Sequence, residues 1–463
     1  MRLGIGVGIG RQRFAGGFAD SYSSRVLADG GIVESLTCVA NASTLLQQAS
    51  LLFIPSGYKA GVAYSALPNN MNGDLTWSRN STANRTLANG NIGSVGANVP
   101  RLSYMYGSCP SALLEPQRTN LILQSEDLSN GWSVEGVAIS TNTTNSPDGN
   151  LTADTIAETA VTDVHRVYRT AITITSGSNY AFSFYVKKDT QRYVRLVINQ
   201  SSSTSIWVAV QFDLDTQTFT SGVGSGGGTF VSASITSASN GFYRITLVGS
   251  LTTTSAFAFL ALSNGNAISS SDSRGCPNYL GNVNNRIWAW GGQFEVGAYA
   301  TTYIPTTTAS ATRINDSFSR TNIYTNGLIS ASGGTWFVEL KNNVSYTRDG
   351  SMRLGIGDTT SLLTNSLYVI PSSIGRLVIF KTLSGVNTSL FSTTTDNVKI
   401  AIKWNGLTAD VFVNGVKVVS ATTFTTTIME NLLNTASNVP IFIQTMALYN
   451  EPKSDQFCID LTT

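Results

Sequence analysis

Apolar and polar residues alternate with a period of two along most of the chain after residue 58. Short runs rich in Val, Ile, Thr, Tyr and Phe are separated by Asn-Gly, Asp-Gly and Gly-Gly turns. A period of two puts successive side chains on opposite faces of a strand, so each run predicts a half-buried strand. Within residues 76–95 the pattern predicts a hairpin that turns at Asn89 and Gly90.

The strongest alternation lies between residues 126 and 310 and predicts a jelly roll, a sandwich of two antiparallel sheets. The strands are expected in YAFSFYVKKD, RYVRLVINQ, IWVAVQFDLD, GFYRITLVGS, FAFLALS and RIWAWGGQFEVG. The positions predicted to point into the sandwich are Phe182, Phe184, Val186, Ile206, Val208, Val210, Phe212, Tyr243, Ile245 and Leu247. On the same register Trp207, Asp213 and Asp215 face the other way.

The alternation resumes in a second predicted sandwich over residues 315–463. A Thr-rich stretch with little apolar content, residues 301–325, predicts a linker between the two sandwiches. Residues 58–125 are expected to form a β-rich connector. The fold class predicted for the whole chain is mainly β, with two sandwiches in tandem behind a short N-terminal segment.

That N-terminal segment is assigned to residues 1–57. Six glycines in the first 17 positions predict an extended start that becomes ordered against a partner. One helix is predicted at about Ile32–Phe53, because apolar residues recur there at helical spacing after a Gly-Gly break.

Composition narrows the function classes. Charged residues make up 12% of the 463 residues, about half the roughly 25% of an ordinary soluble chain, and Ser, Thr and Asn total 148. A net charge of +2 provides no field for a polyanion, so nucleic acid is not an expected partner. The long uncharged runs contain too many Ser, Thr, Gly and Asn for membrane insertion, and the start does not resemble a secretory signal.

The number and spacing of the cysteines and histidines limit the kinds of metal or catalytic site that the chain could form. The cysteines Cys38, Cys109, Cys276 and Cys458 are far apart in sequence and form no zinc motif, so buried free thiols are expected. A Cys109–Cys276 disulfide is the alternative. His165 is the only histidine and lies in a predicted strand, where a structural role is expected. Because no catalytic constellation emerges, the chain is expected not to be an enzyme and to need no cofactor.

One pair of carboxylates has a spacing that suits a metal. Asp213 and Asp215 stand two apart on one strand face, where their oxygens could hold Ca²⁺. The alternative is that the pair marks the entry to a hairpin turn, which is the more common use of such residues.

Aromatic residues provide the candidates for a binding surface. Trp288 and Trp290 share one face of a predicted strand, so they either fill the core or form a platform that stacks a sugar ring. Tyr168, Tyr185 and Tyr193 have the same two interpretations.

Several motifs, taken in order, resemble a known family. LLFIPSGYKAG, LTWSRNSTANRTLANGNIGSVGANVPRLSY and SALLEPQRTNLILQSEDL resemble a segment of virion proteins of tailed bacteriophages, especially phages of gut Bacteroidota. In that family the segment precedes a jelly roll similar to carbohydrate-binding modules, which closes with WGxQxExG and YIPT, as at residues 290–297 and 303–306 here. KIAIKWNG and ADVFVNGVKV resemble a strand pair of concanavalin A-like domains.

Physical roles can be assigned within LLEPQRTN. Leu113 and Leu114 are expected to pair into a sheet that ends at Pro116. Arg118 would offer its planar guanidinium to Glu115 or to carbonyls at a domain junction. Asn120 is expected to cap a turn.

The resemblance implies a virion structural protein, a head fibre, decoration protein or tail-associated fibre. The implied partners are other virion proteins (capsid, portal, collar or tail), docked through the N-terminus, with further copies of the chain in a homotrimer. The sandwiches would meet host or mucosal glycans, and the protein would assemble in the bacterial cytoplasm. The residues assigned to the virion anchor are Arg2, Arg11, Arg13 and Phe14.

Two alternatives remain at this point. A bacterial-surface or prophage-encoded glycan-binding adhesin shares the sandwiches but requires an export signal. A capsule-degrading glycosidase or lyase requires converging carboxylates, and the acids of this sequence are scattered.

Overall fold

The computed structural model describes residues 17–269, 272, 274–341, 352–371, 376–424, 428–435 and 439–463. Strands dominate these residues, which confirms the mainly β class. The helices are α1 (Phe18–Ala28), α2 (Leu36–Ala40) and α3 (Asp455–Thr462), with 3₁₀ turns at Leu46–Gln48 and Ser239–Gly241. No helix in the described ranges is both long enough and apolar enough to span a membrane.

The strands are numbered in chain order. Those before residue 121 are β1 (Ile32–Val33), β2 (Leu51–Phe53), β3 (Gly57–Lys59), β4 (Val62–Ala63), β5 (Leu75–Ser78), β6 (Ala83–Thr86), β7 (Ile92–Val95), β8 (Leu102–Ser103), β9 (Ser111–Leu114) and β10 (Arg118–Asn120). The middle strands are β11 (Ser133–Glu135), β12 (Val137–Asn145), β13 (Leu151–Glu158), β14 (Thr162–Asp163), β15 (Arg166–Thr173), β16 (Asn179–Lys188), β17 (Tyr193–Gln200), β18 (Trp207–Asp213), β19 (Thr218–Phe219), β20 (Val223–Ser225), β21 (Gly228–Ser237), β22 (Tyr243–Leu251), β23 (Ser255–Ser263), β24 (Tyr279–Leu280) and β25 (Arg286–Val296). The last strands are β26 (Ala311–Arg313), β27 (Ser317–Thr321), β28 (Gly334–Lys341), β29 (Leu354–Gly357), β30 (Ser366–Pro371), β31 (Leu377–Leu383), β32 (Val386–Thr393), β33 (Val398–Trp404), β34 (Thr408–Val413), β35 (Val416–Thr423), β36 (Asn431–Asn434) and β37 (Ile441–Tyr449).

The middle strands form the central sandwich. One sheet has the order β11-β15-β23-β17-β18-β19, with β20 also on β18, and the other has the order β12-β13-β25-β16-β22-β21. The core between them contains the predicted inward residues Phe182, Phe184, Val186, Val208, Val210, Phe212, Ile245 and Leu247. Ile206 packs at the margin of this core, whereas Tyr243 is only partly buried. Trp207 points away from the core, as predicted, but is fully buried in a separate cluster with Ile268 and Cys276.

The second sandwich draws strands from both ends of the chain. Its ten-stranded sheet has the order β1-β3-β4-β5-β27-β36-β29-β30-β31-β32. Its eight-stranded sheet has the order β35-β34-β33-β28-β37-β9-β8, with β2 also paired to β37. Residues 58–125, predicted as a connector, therefore supply strands and core residues such as Trp77 and Leu114 to this sandwich. The predicted hairpin at Asn89 and Gly90 is present as β6 and β7.

The helix predicted at Ile32–Phe53 is wrong. That segment consists of β1, α2, a 3₁₀ turn and β2, because Leu51–Phe53 finds a better partner in β37, where Leu51 lies opposite Leu448. The first long helix is instead α1, in residues expected to be extended. Together with α2 and α3 it buries the outer face of the eight-stranded sheet, and Tyr22, Val39 and Leu461 lie in that layer.

The linker predicted at residues 301–325 is also wrong. Tyr303 and Ile304 are buried, β26 pairs with β10, and β27 pairs with β5 and β36. The threonines of this stretch satisfy buried polar groups; Thr301, for example, donates to the Glu295 carboxylate.

The expectation of four free thiols is wrong for two of them. Cys38 and Cys109 form a disulfide with a Cα–Cα distance of 5.8 Å, and Cys276 and Cys458 are free and buried. The bond ties α2 to the chain before β9. The alternative Cys109–Cys276 pairing is therefore not formed.

Candidate functional site

The largest concentration of charge lies at the junction of the two sandwiches and is fully buried. Arg101 donates to Glu115 Oε2 at 2.6 Å and also pairs with Asp316. Arg79 donates to Asp316 Oδ1 at 2.9 Å, and Arg313 lies 3.0 Å from Glu115. These side chains are at most 4% exposed, so this cluster joins the sandwiches and is closed to a ligand.

Glu115 is the acid of the LLEPQRTN element and lies at the centre of the junction. Burial acts to raise the pKa of its carboxyl, but Arg313, Arg101 and hydrogen bonds from Thr302 outweigh burial and bring the pKa down to about 2. The predicted contact between Arg118 and Glu115 is not made. Arg118 donates to the Gln117 carbonyl, which is the second alternative stated above.

The rest of the element behaves as predicted. Leu113 and Leu114 lie in β9, which pairs with β8 and β37. The Asn120 side chain accepts from the backbone of Ile122 and donates to the Gly292 and Ile304 carbonyls. It therefore caps a turn and also ties β10 to the end of the central sandwich.

Of the five aromatic candidates, Tyr168 is described below with the surface to which it belongs, and two of the other four are buried. Trp290 is 1% exposed and Tyr185 is 6% exposed, and both pack with Tyr303 in a small cluster on the outer face of the six-stranded sheet. Their ring centroids lie 5.5 Å apart. Neither ring has a free face for a sugar, so the platform predicted for this pair is corrected to a core.

The other two candidates are partly exposed but lie far apart in the fold. Trp288 is at the edge of the same cluster, with Lys187 Nζ 5.3 Å from its ring centroid. Tyr193 belongs to the opposite sheet and carries the Arg192 guanidinium 4.9 Å from its ring centroid. The structure therefore does not bring them together into one surface.

Asp213 and Asp215 are engaged by cations of the chain itself. Asp213 accepts from Arg192 at 2.6 and 2.9 Å and from the backbone of the following turn. The hydrogen bond from Arg192 is the main cause that lowers the pKa of Asp213. Asp215 pairs with Lys188. This geometry is that of a hairpin entry, and within the described part of the chain no three His, Cys, Asp or Glu residues converge on a metal position.

The remaining residues named from the sequence are those of the virion anchor and His165. Arg2, Arg11, Arg13 and Phe14, assigned to the virion anchor, lie outside the described residues. His165 is fully buried, with Nδ1 2.6 Å from the Gly136 carbonyl and Nε2 3.1 Å from the Tyr279 carbonyl. Its ring therefore holds backbone segments together.

A further aromatic surface lies on the outer face of the seven-stranded sheet, and Tyr168 is its one member that the sequence analysis named. Ala256 and Ala258 of β23 point into the core, so Phe257 and Phe259 point outward. Tyr168 of β15 lies beside them, with its ring centroid 6.1 Å from Phe257 and 5.2 Å from Phe259. Tyr168 and Phe257 are partly exposed, and Phe259 is buried beneath them.

Charged groups border this surface on two sides. The Arg166 guanidinium lies 4.3 Å from the Phe259 ring centroid and pairs with Glu135, which also accepts from the Tyr168 hydroxyl at 3.1 Å. Burial, then Glu135, raises the pKa of Tyr168, so its hydroxyl stays protonated as a donor. On the other side Arg274 lies 5.4 Å from the Phe257 ring centroid.

Arg274 is held in place by an uncharged partner. Its Nη1 donates to Asn199 Oδ1 at 2.7 Å, and its backbone has φ +55°. Within the described residues it forms no ion pair, so part of its donor capacity is free beside the ring of Phe257. The surface thus combines two partly exposed rings with a carboxylate and a guanidinium.

The sequence carried a signal for this surface. At the start of FAFLALS the small Ala258 points inward and Phe257 and Phe259 point outward, the reverse of an ordinary half-buried strand, whereas Leu260 and Leu262 point inward as usual. The period of two was visible, but its phase could be fixed only by the neighbouring strands.

These features define a mainly β protein of two joined sandwiches, with an open aromatic surface on the central one. No protein-family model matches the chain, and no curated protein matches it. Solved structures with some likeness include the Ruminococcus gnavus IT-sialidase CBM40 (TM-score 0.22, 15% identity, 29% of this chain and 84% of that chain). Another is the Trypanosoma rangeli sialidase in complex with sialic acid (TM-score 0.24, 9% identity, 91% of this chain and 79% of that chain).

The expectation that this chain is not an enzyme is contradicted by these comparisons. Sialidases are enzymes, and several structures of the Trypanosoma rangeli sialidase are among the matches. At identities of 8–9% and TM-scores of 0.23–0.25 the likeness assigns no reaction to this chain.

Proposed function

We propose that this chain is a structural protein of a tailed-phage virion, a fibre or decoration protein, that attaches to glycans through its central sandwich. The observation that carries the glycan part is the surface formed by Tyr168 and Phe257 between Glu135 and Arg274. An aromatic ring face stacks on the apolar C–H face of a sugar, while flanking polar groups bind its hydroxyls. The surface has both elements.

The virion part is supported by the ordered motifs from LLEPQRTN to YIPT, which resemble phage virion proteins. The structure gives those motifs a reason to occur together, because Glu115 of the first accepts from Thr302, next to the second, at 2.6 Å. The Cys38–Cys109 disulfide suits a protein that works outside a reducing cytoplasm. In this proposal residues 1–16 provide the anchor, and the virion is the site of action.

A glycan array probed with the full chain tests the first part. Phe257→Ala removes one stacking face, and we expect about tenfold weaker binding, a loss of about 1.4 kcal/mol. The matched control is Phe219→Ala, since Phe219 is 41% exposed on the same sandwich but lies on another strand. Binding that is equal in wild type and Phe257→Ala would refute the proposed surface. Release of reducing sugar from a bound glycan would instead indicate a hydrolase.

Immunogold labelling of purified particles tests the second part. Antibody against the full chain is expected to label virions, and a chain that lacks residues 1–16 is expected to fold but not to be incorporated. Particles that carry no label would refute the virion assignment and leave the glycan result intact.

A further inference from the structure

The second sandwich contains a buried cation without a counter-charge. Lys381 of β31 is 9% exposed, and its Nζ donates to Thr422 Oγ1 at 2.7 Å and to the Thr423 carbonyl at 2.6 Å. No carboxylate of the described residues lies within ion-pair distance of it. Buried arginines such as Arg101 and Arg195, by contrast, pair with acids.

Lys381 lies where the edges of the two sheets meet. β31 is next to β32, the last strand of the ten-stranded sheet, and Lys381 is opposite Thr388 of that strand. Its two hydrogen-bond partners belong to β35, the last strand of the eight-stranded sheet. Thr388 and Thr423 are exposed and Thr422 is partly exposed, so a shell of hydroxyl-bearing residues separates the ammonium from solvent.

An ammonium in this position is costly for the free protein. Removal of a charge from water costs several kcal/mol unless an opposite charge compensates for it. An ammonium has three N–H donors, and two of them are used here. The third donor and the uncompensated charge could both be satisfied by a small anion that enters between β32 and β35.

We propose that Lys381, together with Thr388 and Thr422, forms a binding site for a carboxylate carried by a ligand. A monoanion matches the site because Lys381 provides one positive charge. The nearest cation on β35, Lys417, is already paired with Asp410 and Asp455. The two threonines can each donate a hydroxyl hydrogen to the carboxylate oxygens. This site is on a different sandwich from the aromatic surface and does not depend on the proposed function.

Calorimetric titration of the full chain with sodium glucuronate tests the proposal, with glucose as the uncharged control and sodium chloride to match ionic strength. We expect saturable glucuronate binding in the wild type and at least tenfold weaker binding in Lys381→Met, which keeps the aliphatic length and removes the charge. The matched control is Lys399→Met, on β33 of the same sandwich, which should bind as the wild type does. Sodium acetate distinguishes the source of the carboxylate: equal binding indicates the carboxylate alone, and tighter glucuronate binding indicates an acidic sugar.

The thermal midpoint of the unliganded variant separates the proposal from a purely structural role. If Lys381 is a ligand-binding cation, Lys381→Met should unfold at the wild-type temperature or above it, because an uncompensated buried charge is removed. A lower midpoint, with no glucuronate binding by the wild type, would overturn the proposal and make Lys381 a link between the two sheets. Unchanged glucuronate binding in Lys381→Met would also overturn it.

Discussion

Replacement of Glu115 by Gln should destabilise the junction of the two sandwiches. The Glu115 carboxylate accepts from Arg101 at 2.6 Å, from the Thr302 backbone at 2.9 Å and from the Thr302 hydroxyl at 2.6 Å, and lies 3.0 Å from Arg313. Gln keeps the shape and one acceptor but removes the negative charge. Arg101 would then keep only its pair with Asp316, which it shares with Arg79, and Arg313 would lose its ion pair.

The size of the effect follows from the pKa of Glu115. The folded protein lowers this pKa from 4.5 to about 2, a difference that corresponds to about 3 kcal/mol. Loss of one partner of a buried ion pair costs about 3–5 kcal/mol in other proteins, which agrees. We therefore expect Glu115→Gln to lower the free energy of unfolding by about 3 kcal/mol at pH 7. The thermal midpoint of a sandwich that unfolds as a unit of about 200 residues should fall by roughly 6–10 °C.

The same shift fixes a dependence on pH. Because the folded pKa lies below the unfolded pKa, the carboxylate stabilises the fold fully above about pH 4.5. That contribution is lost as the pH falls from about 4.5 to about 2. Glu115→Gln has no carboxyl to titrate at this position, so the gap in stability between wild type and variant should close over this interval.

The measurement is scanning calorimetry of both proteins at several pH values from about 2 to about 7, a range that includes both the folded and the unfolded pKa. Glu451→Gln is the matched control, since Glu451 belongs to the same sandwich but its side chain is 64% exposed in a surface pair with Lys453. The control should unfold as the wild type does. A Glu115→Gln midpoint within 1–2 °C of wild type at pH 7, or a gap that does not depend on pH, would refute this account of the junction.

Two further predictions concern the disulfide and a glycine of the central sandwich. The double variant Cys38→Ser, Cys109→Ser should lower the free energy of unfolding by about 4 kcal/mol, since the disulfide closes a loop with a sequence separation of 71. Thiol titration of the denatured wild type should give two thiols before reduction and four after it. Four thiols before reduction would contradict the bond. Gly281→Ala should destabilise the central sandwich by about 1–3 kcal/mol, because a Cβ at this position would clash with His165 Cε1. The control Gly96→Ala should leave the stability unchanged, since a Cβ there has no contact under 3.8 Å. Equal urea midpoints for the two variants would show that the His165 region can shift to make room.

The features that could be predicted from the sequence are those that depend on the local period of the strands, such as which side chains face the core. The alternation in IWVAVQFDLD placed Val208, Val210 and Phe212 in the core and Trp207 outside it, as observed. It could not show that Ile268 and Cys276 cover Trp207, because residues outside the strands follow no period. The same limit applied to Trp290, whose burial depends on Tyr303 across the sheet.

Prediction from the sequence failed where strand pairing joins residues that are far apart in the chain. Leu51–Phe53 has apolar positions compatible with a helix, and only the presence of β37, almost 400 residues later, makes it a strand. Residues 301–325 contain many threonines, which in isolation predict a loop. Here Thr301 and Thr302 accept or donate inside a buried charged network that also needs Arg101 and Glu115.

These long-range pairings change how the chain can be divided. A fragment that starts at residue 126 would keep both predicted sandwiches by sequence, but it would lack β2, β5 and β9, which pair with β37 and β27 in the second sandwich. Trp77 and Leu114 would leave its core as well. The central sandwich, in contrast, takes all the strands of its two large sheets from residues 133–296 and inserts between two parts of the other. Since Glu115 and Arg313 stand at the two crossings and face each other, one buried ion pair fixes both the entry and the exit of the inserted sandwich.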